Sequence, residues 1–167
     1  MHPNSDNITT DGIIKCIPYR RDEKICERYT LDVWHRAVHD VDSDSEWGDF
    51  LEKTLIVKCY ILKLCANDKS IGFVYTIQED FAGKILSIHG GGWEKPMMHY
   101  RGYILMIKHL LDQGYKVRTY CQLSNAVAIR FVRSVGFVPY RYTEEEVFMW
   151  ISNKRLENSK IYKRFYG

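Results

Sequence analysis

The chain has 167 residues, 46% of them hydrophobic and 27% charged, and its net charge is +3. This length and composition suit one globular domain with an ordinary buried core and exclude a long disordered chain. So small a net charge gives no argument for nucleic acid as a partner. The longest apolar runs are far shorter than the ~20 residues of a membrane helix, and the polar N-terminus lacks the pattern of a secretory signal, so no membrane contact is expected.

The first third of the chain predicts a strand followed by helical segments. Gly12–Tyr19 has the apolar content of a strand, and apolar residues recur every four positions in the helix predicted for residues 22–39. An acidic loop at residues 40–45 and a short helix at residues 47–53 follow. The acidic loop imitates the start of a calcium-binding loop but lacks its glycine and its final glutamate, so no metal site is expected.

Three strands connected by short turns come next. Thr54–Cys65, Ile71–Gln78 and Lys84–His89 are rich in apolar residues, and the turns between them contain Asn, Asp and Gly. Strands joined by such short turns pair as an antiparallel meander. The glycine run Gly90–Gly92 is expected to end the third strand.

The second half of the chain alternates between helix and strand. Pro96 suits the first turn of a helix, and the helical pattern continues to Gln113 before Gly114 ends it. Then come a strand (116–123), a helix that begins at Ser124 or Asn125 and ends at Gly136, and two strands (137–142 and 146–151). The strand–helix–strand unit over residues 84–123 predicts two parallel strands joined by a right-handed crossover.

These elements predict an α/β (α+β) fold in which residues 1–152 form a single domain and residues 153–167 a polar, basic tail. A solvated terminus is the favoured interpretation of this tail, and contact with RNA or DNA is the alternative. Its basic residues are Lys154, Arg155, Lys160, Lys163 and Arg164, and its aromatic residues are Tyr162, Phe165 and Tyr166.

The cysteines indicate a reducing environment. Their number is odd and no two of them form a CxxC pair, so neither a disulfide framework nor a metal site is expected. Reduced core thiols are typical of a cytoplasmic protein. The five are Cys16, Cys26, Cys59, Cys65 and Cys121.

The segment Ser124–Phe137 combines a helix cap, a small residue and a helix stop. Asn125 is a helix-capping residue, Ala128 allows close approach of a ligand, and Gly136 suits a left-handed turn. This pattern, N-x-x-A followed by seven residues and G-F, resembles the last conserved block of the GNAT N-acetyltransferases, and the order of elements over residues 12–151 is similar to that fold. The resemblance implies a GNAT-like mixed, mostly antiparallel sheet of six to seven strands with helices on both faces and a central splayed pair of parallel strands.

The resemblance also implies acetyl-CoA as the co-substrate, with its pyrophosphate at a junction between a strand and a helix. The glycine run before Pro96 offers such a junction, because glycine lets a ligand approach the backbone and a helix N-terminus favours an anion. The His89-Gly90 pair is similar to that of some phage-like members. The candidate cofactor-binding residues are Ser87, Ile88, His89, Gly90, Gly91, Gly92, Trp93, Asn125 and Ala128.

Two features depart from the family's pattern. The usual phosphate loop, Q/R-x-x-G-x-G/A, has only a partial counterpart at Arg101–Met106. That segment lies too close to Gly114 to leave room for a full helix after it. Gly90–Pro96 is therefore preferred as the phosphate loop. Val132 stands where many members carry a tyrosine that protonates the departing thiolate. The proton must then come from another residue, or the thiolate leaves unassisted.

The implied activity is transfer of an acetyl group to a primary amine by direct attack on the thioester. His89 is the candidate base, because it ends the strand beside the expected thioester and imidazole titrates near neutral pH. Glu79 is the runner-up. The acceptor, a small-molecule or peptide amine, is not identified by the sequence, and monomer and dimer both remain open. The alternative function is a GNAT-fold protein without catalysis that binds acyl-CoA or a partner.

Overall fold

A mixed β-sheet dominates the part of the chain that the computed structural model describes, residues 8–18, 57–92 and 95–167. The strands are β1 (Thr9–Thr10), β2 (Ile14–Pro18), β3 (Val57–Leu64), β4 (Ser70–Asp80), β5 (Ile85–Gly92), β6 (Lys116–Gln122), β7 (Val138–Tyr142) and β8 (Glu146–Ile151). The helices predicted for residues 22–39 and 47–53, and the acidic loop between them, lie outside the described residues.

The strand order is β1-β2-β3-β4-β5-β6-β8-β7. Neighbouring strands are antiparallel except β5 and β6, which are parallel. The predicted mixed, mostly antiparallel sheet is therefore confirmed. The sheet has eight strands, one more than the six to seven predicted. The additional strand is β1, which pairs with Lys15 and Cys16 of β2. Two residues are too few to leave a periodic pattern in the sequence.

Four helices are described, namely α1 (Pro96–Asp112), α2 (Ala126–Val135), α3 (Asn153–Asn158) and α4 (Lys160–Tyr166). Helix α1 contacts β2, β4, β5 and β6 as well as α3 and α4, and α2 contacts β6 and α4, so these helices share one face of the sheet. We call it the helix face. Leu86 and Ile88 of β5 are fully buried there in one core with Ile104 and Ile107 of α1. Because side chains alternate along a strand, Ser87 and His89 point to the opposite face.

The Arg101-Gly102 pair holds α1 against the sheet. A Cβ at Gly102 would approach the side chains of Ile14 and Leu62 to 3.0 Å, so glycine favours close contact between α1 and strands β2 and β3. Arg101 donates a hydrogen bond from Nε to Asp11 Oδ2 over 2.5 Å. This pair therefore has a packing role.

Residues 153–167, predicted as a solvated tail, instead form α3 and α4 and pack onto the helix face. Leu156 is fully buried in the main core. The hydroxyl of Tyr166 donates to Asp11 Oδ2 over 2.6 Å. Ser152 and Ser159 cap the two helices with their side chains. The helices are six and seven residues long, too short to be recognised from the spacing of apolar residues among so many charges.

The described cysteines, Cys16, Cys59, Cys65 and Cys121, are free thiols. Among the residues described, no helix has the length and apolar character needed to cross a membrane.

Candidate functional site

The parallel strands β5 and β6 separate after three residue pairs. Their register ends at Ser87 opposite Arg118. Beyond this point β5 continues to Gly92 in contact with β4, while β6 continues to Gln122 in contact with β8. The strands diverge because each follows its antiparallel neighbour. A cavity of about 210 Å³ opens between them.

The cavity is lined from both faces of the sheet. On the helix face its lining comprises His99, Tyr103, Thr119, Cys121, Asn125, Ala128, Phe131 and Val132. On the opposite face it comprises Tyr75, His89, Tyr120, Gln122 and Glu146. Gly90 lines the cavity from β5, beyond the last residue of that strand paired with β6. The gap therefore connects the two sides of the sheet.

The glycine run belongs to β5, so the prediction that it ends the strand is wrong. Gly90, Gly91 and Gly92 pair with Val74, Phe73 and Gly72 of β4. A side chain at Gly92 would approach the ring of His99 to 2.8 Å, and one at Gly72 would approach it to 2.7 Å. Gly92 and Gly72 thus let α1 lie close to the sheet. Of the three glycines in the run, Gly90 alone lines the cavity. Trp93 lies outside the described residues.

Backbone groups of β5 face the gap where β6 has moved away. The carbonyl of Ile88 points toward β6, because it accepts hydrogen bonds from Thr119 Oγ1 at 2.8 Å and from the Tyr103 hydroxyl at 3.4 Å. Backbone groups two residues apart on a strand point to the same side. The N–H and carbonyl of Gly90 therefore face the gap as well.

The start of α2 forms the rim of the cavity on the helix face. Asn125 Oδ1 accepts from the backbone N–H of Ala128 at 3.1 Å, so Asn125 caps the helix as its position predicted. The small side chain of Ala128 leaves the cavity open beside the cap. Val132, one turn further along, is 5% exposed and brings no proton donor to the cavity.

His89 packs against two aromatic rings. Its ring lies 5.0 Å from that of Tyr75, in a stacked arrangement, and 4.5 Å from that of Tyr120. Its Nε2 lies 3.3 Å from Ser87 Oγ. Burial lowers the pKa of His89 to about 3. The imidazole is therefore neutral at pH 7 but a weak base, so titration near neutral pH no longer supports it as the catalytic base.

A second buried histidine lines the cavity from the helix face. His99 is 7% exposed, and burial lowers its pKa to about 4, against the opposing effect of a hydrogen bond to the Phe73 backbone. Its Nε2 is buried without a hydrogen-bond partner among the described residues. A buried polar atom without a partner is rare and destabilising, so it suggests a ligand group in the cavity.

These two histidines predict that stability falls as the pH falls. Their folded pKa values, about 3 and about 4, lie below the ordinary value of 6.5. Between the folded and the ordinary pKa values, the unfolded chain binds more protons than the folded protein. The free energy of unfolding is therefore highest above pH 6.5 and declines as the pH drops toward 4. The decline is at most roughly 1.4 kcal/mol per pH unit for each histidine. Urea unfolding at pH 7.0 and 5.0 measures the decline, and His89→Gln should reduce it. An equal decline in His89→Gln and the unchanged chain would contradict the prediction.

The two carboxylates near this site differ in their surroundings. Glu79, the predicted runner-up base, lies at the exposed end of β4 with Oε2 3.8 Å from Arg118 Nη1, outside the cavity lining. Glu146, which the sequence did not single out, lines the cavity, and its carboxylate has no hydrogen bond or ion pair among the described residues. Alternation in β8 predicts that Glu146 faces away from buried Val147, but nothing in the sequence places β8 beside β6.

Solved structures that resemble this chain include acetyltransferases. A probable acetyltransferase of the GNAT family from Chromobacterium violaceum ATCC 12472 has a TM-score of 0.66 at 15% identity, covering 94% of this chain and 96% of that one. A GCN5-related N-acetyltransferase from Brucella melitensis has a TM-score of 0.68 at 11% identity, covering 98% and 85%. Spermidine N-acetyltransferase from Vibrio cholerae, in complex with CoA and spermine, has a TM-score of 0.59 at 13% identity, covering 89% and 100%. No protein-family model and no curated protein matches the sequence. At these identities the likeness concerns the fold.

Proposed function

We propose that this chain, whose fold is that of the GNAT N-acetyltransferases, is an enzyme that moves an acetyl group from acetyl-CoA to a primary amine. The observation that carries the proposal is the gap between β5 and β6, which connects both faces of the sheet through one cavity. Such a gap lets a thioester enter from one side and an amine from the other, so that the reacting atoms meet inside the sheet.

Acetyl-CoA would occupy the helix face. Asn125 and Ala128 would border its pantetheine arm at the start of α2, and the unpartnered Nε2 of His99 would accept a hydrogen bond from one of its amides. The pyrophosphate would lie near the N-terminus of α1, beyond Gly92, where helix N–H groups favour an anion. Ser87, Ile88, His89 and Gly91 would contribute to cofactor binding only by fixing the course of β5. Gly90 would contribute its backbone N–H and carbonyl, which face the gap.

The N–H of Gly90 is our candidate for polarising the thioester carbonyl. It faces the gap, and a backbone donor fixed in a strand needs no rearrangement to stabilise the negative charge that develops on the oxygen. The thioester supplies the activated acetyl group, and the amine nitrogen attacks its carbonyl carbon directly.

The amine must lose a proton before it attacks. Glu146 is our preferred base, because its carboxylate lines the cavity and no described cation compensates its charge. Such a carboxylate also attracts an ammonium group, which favours a cationic small molecule or peptide amine as the acceptor. The complex of the Vibrio cholerae enzyme with spermine is consistent with an acceptor of this class. His89 would then orient the amine as a neutral hydrogen-bonding group.

The second candidate function is an acyl-CoA-binding protein without catalysis. One observation favours it, which is that apolar Val132 stands where many GNAT enzymes carry their acid. This function needs the helix-face half of the cavity and makes no use of Glu146 or Tyr120.

The test is release of free CoA from acetyl-CoA in the presence of a panel of amines. The panel contains polyamines, aminoglycosides, amino acids, and peptides with a free N-terminus or lysine. We expect amine-dependent release of CoA, strongest with amines of net positive charge, together with a rise in melting temperature on adding acetyl-CoA.

The same measurement separates the alternatives. A rise in melting temperature without CoA release for any amine would favour the non-catalytic function. No thermal effect of acetyl-CoA and no release would overturn both functions.

A further inference from the structure

The proposed transfer leaves a thiolate that needs a proton, and Val132 cannot supply one. A residue that protonates the departing sulfur has to reach it inside the cavity, so the candidates are the proton donors that line the cavity. Three tyrosines among the described residues do so, namely Tyr75, Tyr103 and Tyr120. Their surroundings distinguish them.

Two of these tyrosines have structural roles. Tyr103 is 3% exposed, and its hydroxyl already donates to the carbonyl of Ile88 at 3.4 Å. Tyr75 is 6% exposed, and its ring lies in a stack, 6.1 Å from Phe73 and 5.0 Å from His89. Neither ring can turn its hydroxyl toward a ligand without disrupting this packing.

Tyr120 differs from both in position and contacts. It lies on β6 two residues beyond Arg118, where the pairing with β5 ends, and it lines the cavity from the opposite face. Its ring is held 4.5 Å from that of His89 and 5.6 Å from that of Phe148. Its hydroxyl makes no hydrogen bond within the described ranges, and the side chain is only partly buried. The ring is therefore held in place while its proton remains available.

Resting on the proposed acetyl transfer, we propose that Tyr120 is the general acid of the reaction and takes the place of the helix tyrosine that Val132 replaces. The amine nitrogen forms a bond to the carbonyl carbon, and the carbon–sulfur bond then breaks with its electron pair going to sulfur. The Tyr120 hydroxyl gives its proton to that sulfur, and the tyrosinate takes the remaining excess proton from the new amide nitrogen. One proton, removed from the ammonium by the base, leaves to water.

The electrostatics around Tyr120 keep its proton on the hydroxyl. Burial raises the pKa of Tyr120, and the carboxylates of Glu146 and Glu79 raise it further. The hydroxyl is therefore protonated at neutral pH when the sulfur departs. A phenol with a raised pKa is also a weaker acid, so the expected contribution lies at the lower end of general acid catalysis, about 10- to 100-fold.

Tyr120→Phe tests this role with little change in packing, because it removes only the hydroxyl. With the best amine of the panel we expect kcat to fall about 10- to 100-fold while KM for acetyl-CoA and the melting temperature stay unchanged. The matched control is Tyr140→Phe, which makes the same change at a tyrosine that is 45% exposed and outside the cavity lining. Its kinetics should equal those of the unchanged protein.

A pH profile separates an acid from a purely structural residue. Replacing Tyr120 with a difluorotyrosine lowers the pKa of the phenol. The plot of kcat against pH should then gain an alkaline limb, a fall in kcat between about pH 7 and 9. The unchanged protein and the same replacement at Tyr140 should show no such limb.

The outcomes are distinct. An active protein in which Tyr120→Phe keeps the full kcat, or in which difluorotyrosine adds no limb, overturns the acid and leaves the proposed function standing. An unchanged protein that binds acetyl-CoA but acetylates no amine overturns the proposed function and the acid together. The expected fall in kcat with the added limb supports both.

Discussion

Ala128→Phe is expected to weaken acetyl-CoA binding by at least about a hundredfold, equivalent to roughly 2.7 kcal/mol of binding free energy, while the protein remains folded. Ala128 borders the cavity on the helix face, next to the cap that Asn125 forms, and the larger ring would occupy the space proposed for the pantetheine arm. Isothermal titration with acetyl-CoA measures the affinity, and thermal unfolding verifies the fold.

Val127→Phe is the matched control for this substitution. Val127 is the preceding residue of the same helix, but it is 76% exposed and lies outside the cavity lining. Its variant should bind acetyl-CoA normally. Equal affinities of the two variants would place the co-substrate somewhere other than beside α2.

Gly136→Ala is expected to destabilise the protein by about 3 kcal/mol or more, because two penalties combine. Gly136 has a φ of 121°, which side-chain-bearing residues rarely adopt. In addition, a Cβ would lie 2.7 Å from the carbonyl oxygen of Arg155, a backbone atom that cannot move without shifting α3. The measurement is the free energy of unfolding in urea at pH 7.

Gly114→Ala separates the two penalties. Gly114 also has a positive φ, 86°, but the nearest atom to its Cβ would be the flexible Lys84 Nζ at 3.5 Å. We expect a loss of about 1 kcal/mol, the conformational penalty alone. A Gly136→Ala variant no less stable than Gly114→Ala would mean that α3 does not pack against the end of α2 as described.

The sequence predicted those parts of the fold that depend on neighbouring residues. Short turns predicted the meander of β3, β4 and β5, and the strand–helix–strand unit predicted the parallel pairing of β5 with β6. Asn125 was recognised as a cap because capping depends on a side chain and a backbone group three residues apart.

The parts that were missed depend on contacts between distant segments. Gly92 looked like part of a loop, because the reason for this glycine, the close approach of His99 on α1, is a tertiary contact. Glu146 and Tyr120 line the same cavity only because β8 lies between β6 and β7 in the sheet. No local sequence pattern predicts this strand order. The low pKa of His89 likewise follows from the rings of Tyr75 and Tyr120 around it.

For the proposed acetyl transfer, the gap between β5 and β6 has a consequence for the order of events. Since the gap opens on both faces of the sheet, each proposed substrate would have its own entrance, and both could be bound before any bond changes. A double-displacement route would instead need a nucleophile in the cavity to carry the acetyl group. Cys121 is the cavity thiol among the described residues, and burial raises its pKa to about 11, which leaves almost no thiolate at neutral pH. For the proposed transfer, the architecture thus favours a ternary complex over a ping-pong scheme. Double-reciprocal plots intersect for a ternary complex and are parallel for a ping-pong scheme.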